Sequence, residues 1–141
     1  MLWLALEVIL VFPHYLSYFN EIAGATANGY KYAVDSNYDW GQDLKRLIRY
    51  VEKKKIAKIG VDYFGGGSPK YYLGEKFIPW WSSRGEPPKN TWLAVSASFL
   101  QSAFGETTKG FTRKPEDSYE WLKKYRPIDR VGYSIFIYYI Q

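Results

Sequence analysis

Hydrophobic and polar positions change period several times along the chain, and each change marks an element. Residues 1–12 are apolar except for Glu7. As a helix they reach about 18 Å, short of the roughly 30 Å hydrocarbon core of a bilayer. They also lack the basic leader and small-residue cleavage site of a signal peptide. Two readings follow for residues 1–20: a core helix, or the end of a membrane helix. Residues 21–141 then form an α/β domain. Within it, 13–28 read as a short helix and a loop, and Tyr30 to Val34 as a strand. Leu44, Leu47, Ile48 and Val51 stand at i, i+3, i+4 and i+7, the pattern of an amphipathic helix. Asp39 and Gln42, three apart ahead of it, form a candidate capping box.

The apolar run 58–64 reads as a strand, and Gly65-Gly66-Gly67 turns it into Ser68-Pro69, an N-cap and a first-turn proline. A short helix through Tyr71, Tyr72 and Leu73 closes at Gly74. Residues 75–90 hold three prolines and the pair Trp80-Trp81 and read mainly as loop, with Phe77 and Ile78 as a strand. Residues 91–97 form a buried strand, 99–104 a helical turn, 105–113 a polar loop and 116–125 a second amphipathic helix. The strict alternation over 130–141 predicts one long strand. Strands alternating with helices predict a single layered α/β domain, its sheet mixed or mostly parallel and flanked by helices, preceded by the apolar N-terminal helix.

Composition and charge narrow the picture. The 141 residues include 28 aromatic ones, and the net charge is +5. Residues 41–60 carry seven basic side chains against two acidic ones, so the whole surplus lies in one segment. Lys45, Arg46, Arg49 and Lys53 fall opposite the apolar stripe of the predicted helix. They form either a solvated face or a surface for anionic lipid, where each cation contributes about 1 kcal/mol. No aromatic side chains interleave them and no nucleic-acid motif is present, so nucleic acid is not an expected partner. There is no cysteine, hence no disulfide framework or thiol chemistry, and the single histidine, His14, reads as structural.

Candidate chemistry concentrates in two loops. Asp35, Asn37 and Asp39 have the spacing of the first calcium-loop ligands, but Gly41 falls one position late and Arg46 stands where a bidentate Glu belongs. An EF-hand is excluded. A looser divalent-cation site, a ligand site at the end of a strand and a plain polar turn remain. Gly65, Gly66 and Gly67 match no nucleotide-binding pattern. They read as a tight turn or as amides that cradle an anion. Asp35, Asp39 and Asp62 would be the acid/base groups of a stand-alone enzyme, and the Asp35–Asp39 loop the site of a carbohydrate-binding module. Trp80 and Trp81 read as core, as a membrane anchor or as a sugar-stacking platform.

The blocks Phe12-Pro13-His14-Tyr15-Leu16-Ser17-Tyr18-Phe19-Asn20-Glu21 and Asp35-Ser36-Asn37-Tyr38-Asp39-Trp40-Gly41-Gln42-Asp43-Leu44, with Tyr63-Phe64-Gly65 and Gly132-Tyr133-Ser134-Ile135, carry a resemblance. Together they resemble the C-terminal region of membrane glycosyltransferases of the dolichyl-phosphate-mannose protein mannosyltransferase type, enzymes that use a phospholipid-linked sugar. The resemblance implies an extracytoplasmic domain following a membrane helix, with the catalytic acidic loop outside this chain. It carries no catalytic residue, no metal ligand and no cofactor onto these positions. The expectation is a non-catalytic accessory or binding domain at the extracytoplasmic membrane face. Its expected partners are the membrane surface, a membrane-embedded glycosyltransferase portion, and a lipid-linked sugar or glycan. The ligand candidates are Asp35, Asn37, Asp39, Trp40, Gln42, Gly65, Gly66 and Gly67. The membrane-facing candidates are Trp3, Lys45, Arg46, Arg49, Lys53, Trp80 and Trp81.

Overall fold

A computed structural model of the chain describes residues 2–20, 25–33, 38–104, 110, 112, 114 and 118–141. Five strands form one mixed sheet in the order β2-β1-β3-β5-β4. These are β1 (Ile59–Asp62), β2 (Phe77–Pro79), β3 (Thr91–Ser96), β4 (Asp129–Val131) and β5 (Ile135–Ile140). β1 runs parallel to β2 and β3, while β5 is antiparallel to β3 and β4. The architecture is therefore α/β with a mixed sheet flanked by helices.

Alternation along the strands builds a core on each face. Leu93 and Val95 of β3 join Phe136, Tyr138 and Ile140 of β5 in one buried cluster. Ala94, Ile135 and Ile137 join Ile59 and Val61 of β1 in the other. The second face is covered by helix α3 (Leu44–Lys53), whose stripe Leu44, Leu47 and Val51 is fully packed. The first face is covered by helix α5 (Ala97–Phe104) and the 3-10 segment Glu120–Lys124, through Leu100, Ala103, Tyr119 and Leu122. Helix α4 (Pro69–Leu73) begins as expected, with Ser68 Oγ accepting from the Tyr71 amide at 3.3 Å and Pro69 in the first turn.

Three expectations are corrected. Tyr30 does not open a strand: Gly29–Lys31 is a 3-10 turn following the short helix α2 (Ala25–Asn28). The Tyr30 ring packs edge-on to Phe136 at 5.0 Å and takes the Arg130 guanidinium at 4.8 Å, so tertiary contacts override a weak local preference. Residues 130–141 are not one strand. Gly132, at φ +58°, turns the chain between β4 and β5, and a β-carbon there would collide with the Asp43 carboxylate. The second amphipathic helix is, over its described part, the 3-10 segment 120–124; residues 115–117 lie outside the described residues.

Helix α1 (Leu2–Val11) is apolar around its circumference and ends well short of a membrane span. Among the described residues no helix is long and apolar enough to cross a membrane. Of its described side chains Trp3, Leu6, Val8, Ile9 and Leu10 are exposed, Ile9 at 71% and Leu10 at 73%, so the described residues do not enclose this part of the helix in a core. A turn leads into the 3-10 segment Tyr15–Ser17, where Ser17 is buried while Tyr15 and Leu16 are exposed.

Candidate functional site

The C-terminal ends of the parallel strands β1 and β3 are where an α/β sheet leaves room for a ligand. Two loops meet there, residues 38–43 ahead of α3 and residues 63–68 after β1. They meet back to back through glycine. A β-carbon on Gly65 (φ +144°) would lie 2.6 Å from the Gly41 α-carbon, and one on Gly41 (φ +76°) would lie 2.9 Å from that of Gly65. Tyr63 clamps the contact by donating its hydroxyl to the Gly41 carbonyl at 2.9 Å. Gly67 is also tight, its β-carbon position 2.7 Å from Leu44 Cδ2.

The polar residues of the 38–43 loop are spent on holding it. Tyr38 is fully buried and donates to the Thr26 carbonyl at 2.8 Å. Gln42 is a staple: its Oε1 accepts from the Trp40 amide at 2.8 Å and its Nε2 donates to Ser17 Oγ at 2.9 Å and to the Tyr38 carbonyl at 3.2 Å. Asp43 is fully buried and accepts from Arg46 at 2.6 Å, from the Tyr133 and Ser134 amides at 3.0 and 3.1 Å, and from the Ser134 hydroxyl at 3.0 Å. It holds the N-terminal residue position before α3, yet its side chain ties the loop to the β4–β5 turn instead of capping the helix. The capping box expected from Asp39 and Gln42 is therefore replaced by two bonds inside the loop, since Asp39 Oδ1 accepts from the Gly41 amide at 2.9 Å.

Trp40 is the exception, with 62% of its surface exposed. Two hollows border it. One, of about 340 Å3, is bounded by Trp40, Gln42, Lys45, Tyr63, Gly66 and Tyr72. The other, of about 430 Å3, is bounded by Trp40, Tyr63, Phe64, Gly65, Gly66 and Phe99. Both fall within the size range of small-molecule sites, about 300–1,000 Å3. Trp40, Gln42, Gly65, Gly66 and Gly67 are thus brought to one groove. Tyr63, Phe64, Tyr72 and Phe99 complete its walls, and Lys45 joins it. Their signal in the sequence is the set of rings flanking the glycine run.

Asp35 and Asn37 lie outside the described residues. Asp39 is 1% exposed and its Oδ2 has no partner in hydrogen-bond geometry among the described residues. Burial raises it to about pH 6 against the opposing pull of the Gly41 amide and the nearby Ser134 and Ser96 hydroxyls. Asp62, at the end of β1, is raised by burial to about the same value although Tyr119 donates to it at 2.6 Å. Neither carboxyl bounds either hollow. Among the described residues no group of three or more acidic or histidine side chains could hold a metal.

These two acids make a testable contribution to stability. Each folded value lies above the unfolded one, so the folded state holds the proton more tightly. Their contribution is fully present below about pH 4 and is lost as pH rises through about 6. The double variant Asp39→Asn/Asp62→Asn is expected to lose this slope, amounting to about 2–3 kcal/mol per group. Denaturant unfolding of both proteins across pH 4–7 checks it, and equal slopes would contradict the assignment.

The membrane-facing candidates separate. Trp3, Lys45, Arg49 and Lys53 are exposed, as is Trp81. Arg46 is half-buried: it pairs with buried Asp43 and donates to the Pro13 carbonyl at 3.5 Å. Trp80 is half-buried and packs against the first core cluster, over Gly60 of β1, with its indole donating to the Gly85 carbonyl. The Arg84 guanidinium lies 4.5 Å from the Trp80 ring and 5.0 Å from that of Trp81. His14 packs edge-on to Tyr133 at 4.6 Å, and burial lowers its pKa.

Fold and site define an α/β domain with an aromatic groove at the C-terminal edge of its parallel strands. Comparison with family models, with curated proteins and with solved structures finds no match for this chain.

Proposed function

We propose that the chain is a non-catalytic accessory or binding domain, related to the C-terminal region of polyprenyl-phosphate-sugar-dependent glycosyltransferases and held at the extracytoplasmic face of a membrane. The observation that carries this reading is the exposed apolar surface that the described side chains of α1 and of the turn after it present. Trp3, Leu6, Ile9, Leu10, Phe12 and Leu16 all face outward. Large apolar side chains exposed together on one short segment mark membrane or protein contacts. A hollow of about 210 Å3 between Val8, Val11, Tyr15 and Tyr18 gives the patch relief. Arg46 hydrogen-bonds the Pro13 carbonyl, so α3, with its exposed cations Lys45, Arg49 and Lys53, adjoins the end of this surface. Apolar insertion and attraction to anionic headgroups would act together. The membrane surface and a membrane-embedded glycosyltransferase portion are the partners, and the groove at Trp40 is the ligand site.

A binding role is favoured over a stand-alone enzyme because Asp39 and Asp62 are buried and bound neither hollow. Sedimentation with anionic vesicles tests the membrane reading. The chain is expected to pellet with vesicles, more weakly at high salt, and Ile9→Asp/Leu10→Asp is expected to stay in the supernatant. A wild-type chain that stays in the supernatant would overturn it.

A further inference from the structure

We infer that the groove at Trp40 binds a neutral glycan, with a pyranose ring stacked on the Trp40 indole. This names the ligand class of the site just proposed and rests on that reading. Three observations carry it.

The first is the division of labour within the 38–43 loop. Tyr38, Asp39, Gln42 and Asp43 are buried or bonded internally, while the largest apolar side chain of the loop, Trp40, is exposed. The second is Gly66. Gly41 and Gly65 are required by positive φ and close backbone approach, and Gly67 by Leu44. Gly66 has neither constraint: its φ lies outside the left-handed region and a β-carbon there would meet nothing within 4 Å. Yet Gly66 borders both hollows. Its missing side chain is unexplained by packing, and it lies where the linings of the two hollows meet, beside Trp40. The third is the mixture of surfaces. One hollow is bordered by the side chains of Tyr72 and Lys45, and the other by the rings of Phe64 and Phe99.

Ligand chemistry follows from that mixture. An organic cation would face Lys45. An inorganic anion would meet one exposed lysine beside a five-residue helix, too little fixed charge to hold it. A wholly apolar ligand would leave the Tyr72 hydroxyl and the Lys45 ammonium of the first hollow unmatched. A sugar ring has an apolar C–H face and a polar rim, which matches an indole platform bordered by hydroxyl and amide groups.

The test is titration of the full chain with short cellulose, mannan and chitin fragments, followed by amide and indole correlation spectra. At least one fragment is expected to shift the Trp40 indole and the Gly65 to Gly67 amides together. Trp40→Ala is expected to weaken that binding about tenfold or more. Gly66→Leu, which the backbone accommodates without strain, should block it while the unfolding transition stays unchanged. Trp81→Ala should bind as the wild type does. The assignment is overturned if no fragment moves these signals, or if Gly66→Leu binds as tightly as the wild type. Vesicles carrying undecorated polyprenyl phosphate form a separate arm. If they shift the groove and no fragment does, the glycan assignment fails while the groove stands as the ligand site. Vesicle sedimentation without sugar tests the membrane reading independently.

Discussion

Asp43→Ala is expected to lower the free energy of unfolding by about 3–5 kcal/mol, the largest loss among single substitutions in this region. The carboxylate is inaccessible and accepts from one guanidinium, two amides and one hydroxyl. Its removal strands the Ser134 amide and hydroxyl in a buried setting, where each unpaired donor costs about 1–3 kcal/mol. It also detaches α3 from the β4–β5 turn. Gly132 packs against the same carboxylate so closely that no β-carbon fits, which makes the two positions one unit. Arg46→Ala should cost less, because Arg46 is partly exposed and Asp43 keeps three other donors. Urea unfolding of the two variants checks the order. A loss below about 1 kcal/mol for Asp43→Ala would show that the tie contributes little.

Gly65→Ala is the second large effect. Its added methyl group would sit 2.5 Å from the Tyr63 hydroxyl and 2.6 Å from the Gly41 α-carbon, on a backbone at φ +144°. Strain of that kind costs about 1–3 kcal/mol and overpacking about as much again. Relief requires the 38–43 and 63–68 loops to part, which breaks the Tyr63 bond to Gly41 and deforms the groove. A loss of about 2–5 kcal/mol is expected, together with loss of ligand binding. Gly66→Ala, one residue along with open space around it, is expected to change stability by less than about 0.5 kcal/mol. Thermal unfolding of the pair is the check. Equal behaviour of the two variants would contradict the back-to-back contact.

Much of the fold is legible because it repeats. The stripe Leu44, Leu47 and Val51 predicts α3, and the alternation Ile135 to Ile140 predicts that β5 divides its side chains between two cores. What repetition does not encode is a partner far along the chain. Nothing local says that Asp43 binds Ser134 or that Arg130 reaches the Ala27 carbonyl and Tyr38 hydroxyl across about a hundred residues. Gly132 was the available signal for a break in the last strand, but alternation on both sides of it conceals the turn. At the site, the block from Asp39 to Asp43 is conspicuous in the sequence as a set of ligand-like groups. Folded, most of those groups bind one another and Trp40 is left outward. Asp39 shows why polarity misleads: a carboxylate reads as a surface ligand until packing encloses it.

The proposed membrane contact sets α1 in a lipid surface. Fluorescence quenching by brominated lipid in anionic vesicles tests it most directly, because the quencher acts only on indoles within the acyl region and Trp3 is exposed on α1. A substantial part of the tryptophan emission is expected to be quenched, and Trp3→Phe is expected to remove that part. Unquenched emission in the wild type, or quenching that survives unchanged in Trp3→Phe, would contradict it.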